Sequence, residues 1–373
     1  MRLITADPHP DHDTICTFRR ENQALLSESF VKVLQLAQAL QLAQFGQITV
    51  SLDGTKIAAN ASKHAAVSYE RAGQMLEQLE GEVRQLLAKA EQADATPLQD
   101  GLTIPGEIVR RQERQAALQS ARAEIETRAK ARYAVELAEH EKKLAARLAR
   151  RQRGEKPRGP EPKPPSPEPK PQDQYNFTDP ASRIMKSGGS FEQCYNAQAV
   201  VEVESRLIVG ERVSQSPNDK QELVPTLAAI APEAGAVASV LADSGFFSEA
   251  AVQQVEQTAD GMPTGTVVYA PLEKTSHHRG VADLEKQPEA PAPAPGASVA
   301  EVLRHRLKTS AGKALYKLRQ QTVEPIFGII KSTTGFRQFL LRGLEKVSLE
   351  WTLVTLAYNL KRLYHLGPVL KKA

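Results

Sequence analysis

Four polar residues lie close together near the C-terminal end of the sequence: Tyr316, Arg319, Glu324 and Lys331. Glu324 and Lys331 are seven residues apart, which is close to two helical turns, so a helix would place both side chains on one face. A carboxylate can hold a divalent cation, and arginine and lysine can hold phosphates. The stretch 316–331 equally fits an amphipathic helix with solvated charges, because its apolar residues also have helical spacing.

Pro325 directly follows the glutamate of this stretch. Proline has no backbone N–H and disfavours helical geometry in the residue before it. We therefore predict a kink at Pro325, or a helix that restarts with Pro325 at its first position. In both cases Glu324 would lie at an irregular point of the backbone.

Two aspartates follow stretches that have the pattern of strands. Residues 47–53 alternate apolar and polar side chains, which predicts a half-buried strand with Asp53 at its polar end. Residues 238–243 predict a short buried strand that ends at Asp243. Each aspartate is followed by glycine within two residues, so each alone also fits an ordinary turn.

These two aspartates and Glu324 are separated by 190 and 81 residues, and all three could meet at one sheet edge. Hard cations such as Mg²⁺ prefer oxygen ligands. Two such ions about 3.5–4 Å apart can activate water or a 3′-hydroxyl and stabilise the leaving oxygen in a displacement at phosphorus. The three carboxylates therefore predict metal-dependent phosphoryl transfer that needs no protein nucleophile.

The C-terminal stretch resembles the Tyr, Arg, Glu, Lys signature of insertion-sequence DDE transposases. The gap between Arg319 and Glu324 is four residues, whereas much of that family has three. Other short motifs are also similar to the family: DGTK after Leu52, ADSGF around Asp243, and the later RGL and EW. In ADSGF, Phe246 stands where tyrosine is commoner. The resemblance covers nearly the whole chain.

This resemblance implies an α/β fold, an RNase H-like mixed sheet interrupted by a long α-helical hairpin. It implies that Asp53, Asp243 and Glu324 are catalytic and bind Mg²⁺ or Mn²⁺, with two ions. It further implies a homodimer that cleaves and joins DNA at transposon terminal repeats and target sites. The residues expected to contact DNA are Tyr316, Arg319 and Lys331, and the lysines that could extend the phosphate track are Lys56, Lys186 and Lys220.

Two other functions fit parts of the same sequence. The phrase HPDHDTICTFRREN resembles only the last part of the helical N-terminal domain of these transposases, so a truncated, catalytically inactive remnant that only binds DNA or assembles is the alternative. A cellular RNase H-like nuclease would have the same acids, but would not be expected to carry the RGL and EW phrases. The presence of all three acids favours the enzyme.

Composition limits the class of protein. The chain has 373 residues with 41% apolar content, enough for one or two domains with a substantial core. Residues 301–373 hold fourteen Lys or Arg and four Glu, a net charge of +10 that suits a polyanion such as DNA. Two cysteines exclude a disulfide framework, and no apolar run approaches the ~18 residues of a membrane span. We expect a cytoplasmic, nucleoid-associated bacterial protein without a membrane partner.

The order of elements predicts four regions. The helical pattern of residues 1–46 indicates a partial N-terminal domain, and low β-propensity in residues 64–153 indicates a helical hairpin. The proline-rich residues 154–172 fit an extended, semi-rigid linker. Residues 47–63 and 173–373 then form the catalytic domain. Its further predicted elements are a hairpin of strands at 194–204 and 206–214, a helix at 219–230, a helix at 248–257 and a strand at 266–270. His277 and His278 could bind metal, but adjacent histidines on a polar loop are more often solvated.

Overall fold

The structure is a computed structural model, and it describes residues 12–92, 98, 101–154, 156, 159–273, 291–294 and 296–367. His277 and His278 lie outside the described residues. The chain divides into two compact units. The sheet unit comprises Met1–Asn60 and Ala181–Ala373, and the helical unit comprises Ala61–Pro180. The fold is α/β with a mixed sheet.

The sheet unit contains a six-stranded sheet. Its strands are β1 (Gly46–Ala58), β4 (Arg183–Ser187), β5 (Ser190–Glu202), β6 (Ile208–Ser214), β7 (Gly235–Leu241) and β8 (Val267–Tyr269). The order is β4-β5-β1-β7-β8, and β6 also pairs with β5. β1 is central, because it pairs antiparallel with β5 and parallel with β7, while β7 continues parallel to β8.

β1 is longer than its sequence pattern predicts. Ile48, Val50 and Leu52 are buried as expected, but the strand does not end at Asp53. It continues to Ala58, since β5 pairs with it along this whole length. The prediction that Asp53 ends a strand is therefore wrong. An Asp-Gly pair often makes a turn, but here Asp53 and Gly54 pair with β5 and the strand continues.

Helices pack against the sheet. In the sheet unit they are α1 (His12–Glu21), α2 (Gln23–Ala39), α5 (Leu223–Leu227), α6 (Glu249–Glu256), α7 (Val299–Lys308), α8 (Ser310–Gly328) and α9 (Leu344–Leu366). α8 packs against β1 and β5, and α9 packs against β6 and α2. At their junction the indole of Trp351 is fully buried, stacks on Phe327 and donates a hydrogen bond to the Gln198 carbonyl at 3.0 Å.

Of the two predictions for Pro325, the restart of the helix is wrong and the kink stays a prediction. α8 runs through Pro325 and neither stops nor restarts there. The backbone irregularity comes later, as a π-helical turn at Ile329–Thr333. Buried Val323, Ile326 and Phe327 hold this part of α8 on the core. Tertiary packing therefore outweighs the missing proline N–H, and the π-turn shifts the helical register before Lys331.

The predicted helix at 219–230 is mostly absent. Only α5, five residues long, is α-helical. The residues before it instead have side chains directed at the sheet: Glu222 bonds to Ser214 at 2.6 Å and pairs with Arg212. Asp219 accepts hydrogen bonds from β5 side chains. Because Asp219 makes these contacts with the sheet, it does not begin a helix as the sequence pattern predicted.

The helical unit consists of two long helices and a two-stranded ribbon. α3 (Tyr69–Ala90) and α4 (Ile104–Gln152) pack together, and β2 (Ala66–Ser68) pairs antiparallel with β3 (Gln174–Asn176). Their shared core contains Val67, Ala72, Leu76, Leu118 and Ala121. α4 has 49 residues and α3 has 22, so much of the C-terminal half of α4 extends beyond α3, and the described residues of this unit contain no other α-helix.

Proline-rich residues lie along that second half of α4. Among residues 159–173, which we call the strap, the carbonyls of Gly159 and Pro160 accept hydrogen bonds from Arg147 at 2.9 and 3.1 Å. Near the end of the strap, Arg132 binds Asp173 at 2.9 Å. The strap contains no helix or strand, and it is bonded to α4 between Arg132 and Arg147.

Candidate active site

Strand register brings the two aspartates together. In the parallel pair of β1 and β7, Val50 lies opposite Val240 and Ser51 opposite Leu241. Two residues further along both chains are Asp53 and Asp243. β7 has ended by then, so both side chains lie at the edge where the parallel pairing stops. A sheet edge of this kind is a common place for functional side chains in α/β proteins.

α8 supplies the third acid and a cation. Arg319 Nη2 lies 3.0 Å from Asp53 Oδ2 and 4.0 Å from Asp243 Oδ2, and Arg319 Nη1 lies 2.9 Å from Glu324 Oε1. The three predicted carboxylates therefore surround one guanidinium. We call these four side chains the carboxylate cluster. Its formal charge is −2, since three carboxylates face one cation.

Burial differs strongly within the carboxylate cluster. The side chains of Arg319 and Asp53 are 9% and 18% exposed, whereas those of Asp243 and Glu324 are 37% and 50% exposed. Arg319 Nε is buried and has no hydrogen-bond partner among the described residues. The cluster is thus open to solvent on the side of Asp243 and Glu324.

The electrostatics of Asp53 follow from this arrangement. The pKa of Asp53 is raised to about 7, chiefly by burial. Arg319 and the Gly54 N–H lower this pKa, and the charges of Asp243 and Asp219 raise it. Asp243 differs because it is more exposed and accepts a hydrogen bond from the Gly245 N–H at 2.6 Å. The two aspartates have distinct environments although they share one guanidinium.

Lys331 and Tyr316 lie on either side of Glu324 in the sequence. Lys331 Nζ donates to Thr55 Oγ1 at 2.5 Å and to the Lys56 carbonyl at 3.0 Å, so its ammonium lies on β1. Burial lowers the pKa of Lys331. Burial also raises the pKa of Tyr316, and the charges of the three acids act on it in the same direction. Both residues are therefore near the site.

A further acid lies on the opposite face of β1. Asp219 Oδ1 accepts hydrogen bonds from Asn196 Nδ2 and Gln198 Nε2, both at 2.7 Å, and lies 3.6 Å from Lys56 Nζ. Sequence reasoning gave Asp219 no role in the site. Asn196 and Gln198 are fully buried and are the two polar amides in residues 194–201, a stretch of β5 that is otherwise apolar or aromatic. This pattern was the available signal for a polar partner.

The predicted phosphate-contacting lysines have different surroundings. Lys56 is largely buried and is paired with Asp219, and burial lowers its pKa. Lys186 and Lys220 are exposed. Gly54 permits the packing around Lys56, because a Cβ there would come within 2.3 Å of Gln198 Nε2 and 2.7 Å of Asp219 Oδ1. We call Lys56, Asn196, Gln198 and Asp219 the amide cluster.

One family model matches the chain over residues 158–360, and its description is "transposase DDE domain". This segment is more than half of the chain and includes Asp243 and Glu324. The chain belongs to the DDE transposase family. Neither a curated protein nor a solved structure gives a significant match.

Membership of this transposase family has implications for metal binding and for DNA binding. DDE transposases generally use divalent metal ions, and the family implies DNA binding. Within the described residues, no group of three or more acidic, histidine or cysteine side chains is spaced to hold a metal ion directly. The acids are instead spaced by the Arg319 guanidinium. Their chemistry fits a hard cation, because all are oxygen donors and all are already oriented toward one positive charge.

No helix in the described part of this transposase is long and apolar enough to cross a membrane.

Proposed function

We propose that this chain cleaves DNA strands at insertion-sequence ends and transfers them to target DNA with the help of divalent cations. The observation that supports this most is the carboxylate cluster, in which Asp53, Asp243 and Glu324 converge on Arg319 from three separate parts of the sequence. Three acids around one cation leave an excess of negative charge. Such an excess is costly to assemble unless it binds cations.

We further propose that the sheet unit is RNase H-like. Support comes from the strand directions: β6, β5 and β1 are antiparallel neighbours, and β1, β7 and β8 are parallel neighbours. Of these five strands in chain order, the first, β1, carries Asp53, and Asp243 follows the end of the fourth, β7, by two residues. The late helix α8 carries Glu324. This order is the one that the sequence resemblance implies.

The helical unit is proposed as an insertion in this domain. The sheet unit takes its strands from both sides of residues 61–180, with β1 before them and β4 after them. The helical unit has its own apolar core and its own two-stranded ribbon. These features support an inserted unit rather than a separate enzyme, with bounds close to the predicted 64–172.

In this mechanism Asp53, Asp243 and Glu324 would hold two Mg²⁺ or Mn²⁺ ions. Bound ions would supply activation of the attacking hydroxyl and stabilisation of the leaving oxygen. Arg319 is the group that keeps the three acids together, and its planar guanidinium can also form a bidentate contact with a phosphate. Lys331 and Tyr316 flank the acids and would position the DNA strand.

The test is metal-dependent cleavage of a labelled element end by the full chain. Glu324→Gln keeps the size and hydrogen bonding of the side chain but removes the charge that holds a hard cation. We expect cleavage to fall by several orders of magnitude while binding of the same DNA is retained. Glu345→Gln, which removes the same charge from the exposed first turn of α9, is the matched control and should cleave normally.

Other outcomes have clear meanings. A wild-type chain that binds ends but does not cut them in Mg²⁺ or Mn²⁺ would support the binding-only alternative. If Glu324→Gln cleaved as well as the wild type, the assignment of Glu324 to the metal site would be wrong. Parallel melting curves of both variants establish that each is folded.

A further inference from the structure

The two halves of α4 differ in how their charges are paired. In the first half, Arg111 binds Glu82 at 2.7 Å and Arg128 binds Glu124 at 2.9 Å. Residues 142–153 at the other end contain six lysines and arginines and no acidic residue. Positive charge is therefore balanced along the first half and unbalanced at the C-terminal end.

This charge is a local feature of the helical unit. Residues 61–180 contain 21 Lys or Arg and 19 Asp or Glu, a net charge of +2 for 120 residues. Residues 142–153 alone carry +6. The strap does not cancel this charge, because its three acids exceed its two lysines by one and the third acid, Asp173, is paired with Arg132. A generally basic unit would not show such a concentration.

Five of the six cations are exposed: Lys142, Lys143, Arg150, Arg151 and Arg153. We call them the basic surface of α4. At about 100° per residue they fall within an arc of roughly 180°, and a rise of about 1.5 Å per residue spreads them over about 16 Å of helix. The sixth, Arg147, donates to the carbonyls of Gly159 and Pro160. Among the described residues, no acidic side chain pairs with Lys142, Arg150 or Arg151.

The strap keeps this end of α4 in place without neutralising it. His140 contacts the Pro162 carbonyl at 3.2 Å, and Arg147 binds two strap carbonyls. Backbone carbonyls satisfy these side chains but carry no net charge. A helix end that is supported in this way presents its remaining cations on a defined surface.

We propose that the basic surface of α4 binds the phosphate backbone of DNA, as a contact separate from the carboxylate cluster. Among the described residues, Lys143 is the one member of the basic surface with an acidic neighbour, Glu139 at 3.8 Å. A row of exposed cations that is otherwise without acidic partners fits a regularly spaced polyanion, and helix geometry can follow a DNA backbone or groove. A second copy of the chain fits less well, because equal basic surfaces would repel each other. The exposed apolar side chain in residues 142–153 is Leu148, which offers little area for a helix partner. This inference rests on the proposed function, which supplies DNA as the substrate.

The experiment compares two triple variants of the full chain. Lys142→Gln, Arg150→Gln and Arg151→Gln together remove three charges from the basic surface. Arg84→Gln, Arg110→Gln and Arg114→Gln remove three exposed charges from the other part of the hairpin, where Arg84 and Arg110 already have acidic neighbours at 3.6 Å. Binding of a labelled duplex of unrelated sequence is measured against salt concentration, and circular dichroism checks the fold.

Each phosphate contact contributes about 0.9 to the slope of log K against log salt. We expect the first variant to lose about 2 to 3 from this slope and the control to keep the wild-type value. Between about 50 and 200 mM salt, the wild type should then lose roughly 40-fold more affinity than the first variant does. Equal slopes for the wild type and both variants would overturn the proposal.

The same preparations separate this inference from the proposed function. If the wild type cleaves element ends and the first variant has an unchanged salt slope, the basic surface is not a DNA contact and the transposase activity stands. If the slope changes as expected but no protein cleaves DNA, the basic surface is supported and the catalytic proposal fails. A first variant whose mass changes by light scattering, with no change in slope, would identify a contact between copies and overturn the DNA assignment.

Discussion

The two faces of β1 carry two polar clusters with opposite charge balance. On one face, the carboxylate cluster places three acids around Arg319. On the other face, the amide cluster places one cation, Lys56, beside one acid, Asp219, with two neutral amides. The first has a formal charge of −2 and the second has a charge of zero.

This difference separates two uses of buried polar groups. The charges of the amide cluster balance each other. Hydrogen bonds connect β5 to Asp219 in the segment before α5, and the Lys56–Asp219 ion pair connects β1 to it. The carboxylate cluster keeps an unbalanced negative charge, and half of the Glu324 side chain is exposed. Charge imbalance at a sheet edge indicates a site for cations, whereas a neutral cluster indicates a structural role.

Removing Arg319 should give the largest effect on stability. Arg319→Ala leaves three carboxylates without their cation, so we expect a loss of about 3 kcal/mol in unfolding free energy without divalent ions. Added Mg²⁺ should restore more stability to this variant than to the wild type, because an ion can take the place of the lost charge. Urea unfolding with and without Mg²⁺ measures both effects.

The control for this prediction is Arg337→Ala, since the Arg337 side chain is exposed and its hydrogen bond to Ser332 is long, at 3.4 Å. Its stability should stay within about 0.5 kcal/mol of the wild type. Equal stabilisation of Arg319→Ala and wild type by Mg²⁺ would contradict a cation site formed by these acids.

Sequence patterns predicted part of this architecture. Alternation in residues 47–53 predicted the buried face of β1, and apolar runs predicted β7 and β8. The length of β1 was not predictable, because it depends on pairing with β5, more than 130 residues later. A helix restart at Pro325 was predicted from the local preference of proline, but the packing that keeps α8 continuous there comes from distant residues.

The sequence also predicted part of the candidate site. The resemblance named the three acids, but the convergence on Arg319 required the register of β1 with β7 and the packing of α8. Asp219 was interpreted as part of a helix start, since an acid before a helix usually has that role. Long-range contacts decided both cases.

On the opposite face of β1, Asp219→Asn should give the next largest effect. It leaves Lys56 without its carboxylate and weakens two short hydrogen bonds, which typically costs about 2 kcal/mol. DNA cleavage should change far less than in Glu324→Gln. Denaturant unfolding measures the loss, with exposed Asp260→Asn as the control. A fully stable Asp219→Asn that had lost cleavage would instead place Asp219 with the catalytic acids.

A methyl group at Gly54 tests how tightly the amide cluster is packed. Gly54→Ala places a Cβ within 2.3 Å of Gln198 Nε2, so we expect a loss of about 1–3 kcal/mol. Gly328→Ala is the opposite case: this glycine lies in α8 with nothing within 4 Å of an added Cβ. It should be neutral or more stable by up to about 1 kcal/mol. Thermal unfolding compares the signs, and a stable Gly54→Ala would show that the cluster can move aside.

The smallest expected effect is a pH dependence of stability that comes from Glu211, a residue outside both clusters. Measuring it separates the contribution of Glu211 from that of Asp53 in the carboxylate cluster. Burial raises the pKa of Glu211 on β6 to about 7, from an ordinary value of 4.5. The Thr352 hydroxyl lies 2.6 Å from the Glu211 carboxyl and 3.2 Å from the Ser348 carbonyl. It has one hydrogen to donate, so a protonated Glu211 satisfies both contacts.

Because the folded pKa of Glu211 is above its unfolded value, the folded state binds the proton more tightly. Its contribution to stability is full below about pH 4.5 and is lost as the pH rises through about 7. Asp53 has the same sign, so the wild type should lose stability over this range from both groups. Glu211→Gln removes one of them: we expect it to be more stable than the wild type at pH 8, by about 1 kcal/mol, with a smaller advantage at pH 5. Urea unfolding at both pH values measures this difference, and an advantage that is equal at pH 5 and pH 8 would mean that Glu211 does not titrate between them.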